Sequence, residues 1–169
     1  MSLLFGLLTP DMNKTEFACG EPNLDAYLQK QAGQDMKRGF ATVVAARDSA
    51  NPDVIIGFYT LSAASILLNA LPEDITRKMP RYPSVPAIRL GRLAVSSTLQ
   101  GQHIGSLLVL DALYRACRNE LAWAIFLVDA KNDYAARFYE KILFQRFIDN
   151  KLSLWMHRKQ AKALMAGSV

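Results

Sequence analysis

The chain has 169 residues, a formal net charge of +5, and 51% hydrophobic against 21% charged residues, a balance that excludes disorder and fibrous repeats and fits one domain, residues 1–169. The cationic surplus favours anionic partners: phosphates, nucleic acid or an acidic protein. Two cysteines, Cys19 and Cys117, and two histidines cannot build a disulfide framework or a structural zinc site, so no metal is expected and a reducing, cytoplasmic setting is the simplest fit.

The opening MSLLFGLLTPD is apolar, but it lacks a basic n-region and reaches Pro10-Asp11 too soon for a signal peptide; it reads as a first strand. GEPNLDAYLQKQAGQDMKR follows as a helix, with Leu24, Tyr27, Leu28 and Gln31 at helical spacing. ATVVAARD and VIIGFYTLSAASI are β-branched and aromatic-rich, which predicts an antiparallel pair joined by a longer turn from Asp48 to Asp53. LPEDITRKMPRYPSVP holds four of the seven prolines and reads as a loop with one helical turn, beside a site rather than inside the core. A strand is then expected over Ala87–Ser96, a polar turn, and a helix over Ile104–Asn119. That helix would bury Ile104, Leu107, Leu108, Ala112 and Tyr114 to Ala116. AWAIFLVDA reads as a strand buried on both faces, and NDYAARFYEKI as a short amphipathic helix. RFID and LSLWMHR close the sheet, and KQAKALMAGSV is expected as a polar tail. No apolar run is long enough to cross a bilayer.

The turn Gln100-Gly101-Gln102-His103-Ile104-Gly105 joins a strand to a helix. Helix N-termini present unpaired N–H groups and about half a positive charge, which suits a phosphate. No Gly-Lys-Ser/Thr follows, and no βαβ unit precedes, so this is neither a Walker loop nor a dinucleotide fingerprint. Alone, the turn reads better as a plain connection, since most glycine-bearing strand–helix turns bind nothing.

Its neighbours add meaning. QGQHIG resembles motif A of the GNAT acetyltransferases, Q/R-x-x-G-x-G/A, with His103 at the middle glycine. Asn132-Asp133-Tyr134-Ala135-Ala136-Arg137-Phe138-Tyr139-Glu140-Lys141 resembles motif B, N-x-x-A-x-x-F/L-Y-E-K, with Leu143 where a glycine usually precedes Phe144. The blocks FACGEPNLDAYL, GFYTL and RLAV, in this order, resemble the GNAT toxins of bacterial toxin–antitoxin modules from Phe17 to Phe144. The resemblance implies a mixed α/β fold: the GNAT acyl-CoA N-acyltransferase fold, a central, mostly antiparallel sheet with splayed strands and flanking helices. It implies acetyl-CoA as cofactor, the α-amine of an aminoacyl-tRNA as substrate, a ribbon-helix-helix antitoxin as partner, and a homodimer.

On that resemblance, the pyrophosphate is expected on Gln100, Gly101, Gln102, His103, Ile104 and Gly105, and the acetyl carbonyl on backbone N–H of Ala94 or Val95. Tyr139 is the expected general acid, because a phenol stays protonated at neutral pH and can protonate the departing thiolate. Asn132 is a cofactor contact or a helix cap, and Phe138 lies beside the cofactor. Lys30, Lys37, Arg38, Arg77, Lys78, Arg81, Arg89 and Arg92 are the candidates for tRNA phosphates, Arg92 for either the tRNA end or a cofactor phosphate. Cys117 reads as a small buried hydrophobe, and no carboxylate stands out as a base. Two alternatives remain open: acetylation of a protein N-terminus or small amine, and a non-catalytic acyl-CoA-binding module.

Overall fold

The computed structural model describes residues 1–167; Ser168 and Val169, the end of the expected polar tail, lie outside the described residues. The chain crosses three times between two compact units, 1–62 with 91–112 and 63–90 with 113–169.

The first unit is built on β1 (Leu3–Leu7), β2 (Thr42–Asp48), the start of β3 (Asn51–Leu67) and the end of β4 (Ser84–Val95). β1 and β2 pair antiparallel from Leu3↔Asp48 to Leu7↔Val44. β2 and β3 form the expected hairpin, but its turn is shorter than the polar run suggests, since Asp48 already pairs with Asn51 across an irregular register. The expected first helix is interrupted. α1 (Pro22–Ala26) and α2 (Ala32–Arg38) are joined by a widened π-turn, Tyr27–Gln31, and α2 ends at left-handed Gly39. Helical residues Tyr27, Leu28 and Ala32 pack with Val43, Ala45 and Phe58. Each such large apolar side chain contributes about 1.5–3 kcal/mol by leaving water. α3 (Glu73–Thr76) belongs to the other unit, whereas the first turns of α4 (Ile104–Cys117) belong here. A Cβ on Gly57 would lie 3.1 Å from both the Ala94 carbonyl and Leu108 Cδ1, so glycine lets α4 and β4 come close to β3.

The second unit continues β3 and β4 and adds β5 (Ile125–Asp129), α5 (Asp133–Lys141), β6 (Gln145–Arg146), β7 (Ser153–His157) and α6 (Arg158–Gly167). β4 and β5 pair in parallel from Ala87↔Ile125 to Leu90↔Val128, and there the ladder stops, although β4 runs on to Val95. β5 pairs antiparallel with β7, and β7 with β6. Strand order along the seven-stranded sheet is β1-β2-β3-β4-β5-β7-β6, mostly antiparallel, the architecture expected from the sequence.

Four expectations need correction. The described part of the expected polar tail, through Gly167, is helical, and Ala161 is buried on one side of α6. The proline-rich segment covers one face of the sheet: Leu71 and Val85 pack with Ala87, Ile125, Leu127 and Trp155, so part of it is core. Leu107 and Tyr114 are 43% and 48% exposed; the buried stripe of α4 is instead Ile104, Leu108, Val109, Ala112, Leu113 and Ala116. Strand structure in RFID is confined to Arg146, as β6 is only two residues long.

Candidate active site

In the first unit, β4 leads into the glycine turn through a short 3-10 turn, Ser97–Leu99. Ser96 N–H donates to Ile56 O and Ser97 N–H to Ala18 O, both at 2.8 Å, which fixes the strand exit. Gln100 then spends its side chain internally: Nε2 donates to Cys19 O at 2.7 Å and to Val95 O at 3.0 Å. Cys19 is held from its other side, its N–H donating to Asp25 Oδ1 at 2.9 Å, and Gly20 next to it is left-handed. The C-G-x-x-x-L-D block is thus the buttress of the turn. Sequence reasoning gave Gln100 to the cofactor, and only its backbone remains available for that.

Gly101 and His103 both adopt left-handed backbone, with φ of 79° and 63°. Residues in this region curl the chain so that neighbouring N–H groups can converge on an anion. His103 O accepts from Leu107 N–H at 3.2 Å, so His103 stands at the entry to α4, while Ile104, 2% exposed, pins the helix start to the core. Gln100 to His103 are exposed, and no carboxylate occurs between Ser96 and Leu110. The next acid, Asp111, accepts a 2.7 Å hydrogen bond from the Tyr59 hydroxyl. A curled backbone, a helix start and a segment without carboxylates of its own fit the pyrophosphate of coenzyme A. Arg92, exposed on β4 two residues before Ala94, rests its guanidinium 3.8 Å from the Tyr27 ring centre. Lys30 is exposed on the π-turn, and Lys37 and Arg38 are exposed in the last turn of α2.

In the second unit, Asn132 caps α5, its side-chain oxygen accepting from Ala135 N–H at 2.8 Å. Tyr139 lies on the buried side of α5, 6% exposed, edge-on to Phe138 and Phe144 at 5.1 and 5.7 Å between centroids. Burial, then the charge of Asp129, raises the Tyr139 phenol well above the ordinary tyrosine range, so the hydroxyl keeps its proton. Phe138 is half-buried. Leu143, at the position of the motif B glycine, is left-handed with φ of 77°. With His103 it makes the two left-handed residues other than glycine among those described, so both departures from the family motifs fall where the backbone wants glycine.

The remaining cations divide. Arg89 forms a salt bridge with Asp129, which also accepts from Ser153 Oγ at 2.8 Å. Arg77 and Arg81 line an open groove of about 660 Å³ floored by Leu67, Leu68 and Leu71, and Lys78 is exposed beside it. Sequence reasoning missed Arg146, which bridges Asp133 at 2.6 Å and Glu140 at 2.8 Å and so clasps both ends of α5. Cys117 is half-buried, and burial pushes its thiol up, which makes it a poor nucleophile. Among the described residues no group of three or more His, Cys, Asp or Glu is placed to hold a metal, and no helix is long and apolar enough to cross a membrane.

A sequence model of the Acetyltransferase (GNAT) family matches residues 7–143. The chain is 35% identical over 154 residues to a tRNA-acetylating toxin of Mycobacterium tuberculosis, covering 89% of each chain. In structure it is similar to AtaT complexed with acetyl-methionyl-tRNAfMet, with a TM-score of 0.89, 27% identity and coverage of 97% of this chain and 99% of the other. It is similar also to AtaTR bound with AcCoA, with a TM-score of 0.84, 26% identity and coverage of 96% and 98%.

Proposed function

Given that the chain belongs to the GNAT acetyltransferase family, we propose that it is a toxin that acetylates the α-amine of aminoacyl-tRNA and so stops translation. The observation that carries this reading is the 35% identity, over 89% of both chains, to a tRNA-acetylating toxin. The whole chain is read as one acetyltransferase domain acting in the cytoplasm as a homodimer. Its neutralising partner is read as a ribbon-helix-helix antitoxin.

Acetyl-CoA supplies an activated acyl group as a thioester. The Gln100–Gly105 backbone and the start of α4 hold its pyrophosphate, with Gln100's side chain keeping the turn in shape. Backbone N–H at Ala94 or Val95, beyond the point where β4 stops pairing with β5, stabilises the negative charge that develops on the carbonyl oxygen. With acetyl-CoA bound, a new N–C bond would form as the C–S bond breaks, Tyr139 would give its hydroxyl proton to the departing sulfur, and water would take the proton lost by the amine and return one to Tyr139. An α-amine with an ordinary pKa of about 7.7–8.0 is partly neutral already, so no protein base is required. Asn132 and Phe138 line the cofactor. Lys37, Arg38, Arg77, Lys78 and Arg81 draw in tRNA phosphates, and Arg89 supports Asp129.

The experiment that tests this follows thiol release from acetyl-CoA on addition of charged tRNA, uncharged tRNA, peptides or polyamines. Release with charged tRNA alone supports the reading. Release with peptides or polyamines, or cofactor binding without release, overturns it.

A further inference from the structure

Arg92 is the exposed cation whose setting is most constrained. Its guanidinium carbon lies 3.8 Å from the centre of the Tyr27 ring, a face-on cation–π contact. The ring cannot drift. Tyr27 is 6% exposed, stacks on Phe58 with centroids 6.3 Å apart, and donates its hydroxyl to Asp35 Oδ2 at 2.8 Å. Asp35 Oδ1 in turn accepts from the Gln31 side chain at 2.9 Å. Those two hydrogen bonds hold the Asp35 carboxyl below its ordinary range, so it stays an acceptor. The π-turn Tyr27–Gln31 sets this platform, and such widened turns are frequent at functional sites.

The guanidinium uses its face on Tyr27 and keeps its N–H edge free. Among the described residues no hydrogen bond or salt bridge engages it, and Asp35 acts on it only through space. Arg89 and Arg146, by contrast, are committed to carboxylates. Position along β4 points to the ligand. Arg92 precedes Ala94 by two residues, about 7 Å of extended strand, and the Gln100–Gly105 turn follows Ala94 on its other side. With the cofactor phosphates on the turn, Arg92 stands toward the acceptor. The permanent anion nearest the reacting amine of an aminoacyl-tRNA is the phosphodiester joining its last two nucleotides. A free guanidinium edge matches two phosphate oxygens.

We propose that Tyr27, locked by Asp35, is a positioning residue that fixes Arg92 as the anchor for this terminal phosphodiester, an inference that rests on the aminoacyl-tRNA reading above. The test measures dissociation constants for uncharged tRNA across a salt series, and for coenzyme A, in the parent, Arg92→Ala, Tyr27→Phe and the double variant. Arg92→Ala should weaken tRNA binding about tenfold, as for one charge-assisted contact, and lower the salt slope by about 0.7, with coenzyme A binding unchanged. Tyr27→Phe keeps the ring but loses its lock, and should cost about threefold, the scale of an exposed cation–π contact. In the Arg92→Ala background that penalty should vanish, which a merely structural role would not allow. An unchanged salt slope, a loss confined to coenzyme A, or a Tyr27→Phe penalty that persists in the double variant would overturn the proposal. A parent that binds no tRNA would overturn the functional reading itself.

Discussion

Gln100 and Cys19 stand 81 positions apart in the chain, yet the side-chain amide of one donates to the backbone carbonyl of the other at 2.7 Å. The same amide reaches Val95 O at 3.0 Å, so one side chain ties together the N-terminal block, the end of β4 and the glycine turn. Gln100→Leu removes both bonds and strands two carbonyls. Unfolding free energy should fall by about 1–3 kcal/mol, and acetyl-CoA should bind more weakly as the turn loosens. Denaturant titration and calorimetric binding measure the two; a variant equal to the parent in both would show that the brace is dispensable.

His103 and Leu143 pose the opposite experiment. Each has a side chain on left-handed backbone, with φ of 63° and 77°. The left-handed region costs about 1–2 kcal/mol for a residue with a Cβ, partly offset by the entropy glycine loses on folding. His103→Gly and Leu143→Gly should therefore each stabilise the protein by about 0.5–1 kcal/mol. A lower melting temperature in His103→Gly would mean that the imidazole makes a stabilising interaction that the backbone penalty does not outweigh.

Tyr139 lies at 6% exposure against Phe144, and its phenol is held protonated by burial and by Asp129. Tyr139→Phe keeps the ring and its packing and removes only the transferable proton. Turnover should fall about 10²–10⁴-fold, the usual contribution of a general acid, while thermal stability and acetyl-CoA binding hold. Near-parent turnover would remove Tyr139 from the chemistry.

Alkaline pH should unfold the protein early. Burial first, then hydrogen bonding to Asp25, raises Cys19 from an ordinary 9.0 to about 11; burial and Asp35 raise Tyr27 from 10.0 to about 12. Both groups are neutral when protonated, and the unfolded chain releases these protons first. Their stabilisation is complete below about pH 9 and is lost as pH rises toward 11 and 12. Urea unfolding at stepped pH should show this decline, shallower in Tyr27→Phe; a flat profile to pH 11 would contradict it.

The strands, the hairpin, the capped α5 and the turn at Gln100 were legible because each carries a local signal: alternation, a cap residue, or glycine spacing. Tyr139 was legible through its motif, and its burial follows from the amphipathic spacing of α5. What escaped was set by distant partners. Nothing near Gln100 announces Cys19, and nothing near Arg146 announces its grip on Asp133 and Glu140. The π-turn at Tyr27 shifts the helical register by one residue without changing the apolar spacing enough to be seen. The proline-rich segment reads as surface because its polar residues outnumber Leu71 and Val85, the apolar residues it buries, and Ile75 and Met79, which pack beside them.

The most direct test of the account is the mass of the 3′-terminal aminoacyl-adenosine released from charged tRNA after incubation with acetyl-CoA and the parent protein or Tyr139→Phe. The parent should add one acetyl group to the α-amine, and Tyr139→Phe should leave nearly all of the product unmodified. Unmodified aminoacyl-adenosine after incubation with the parent, while acetyl-CoA is consumed on another amine, would contradict the account.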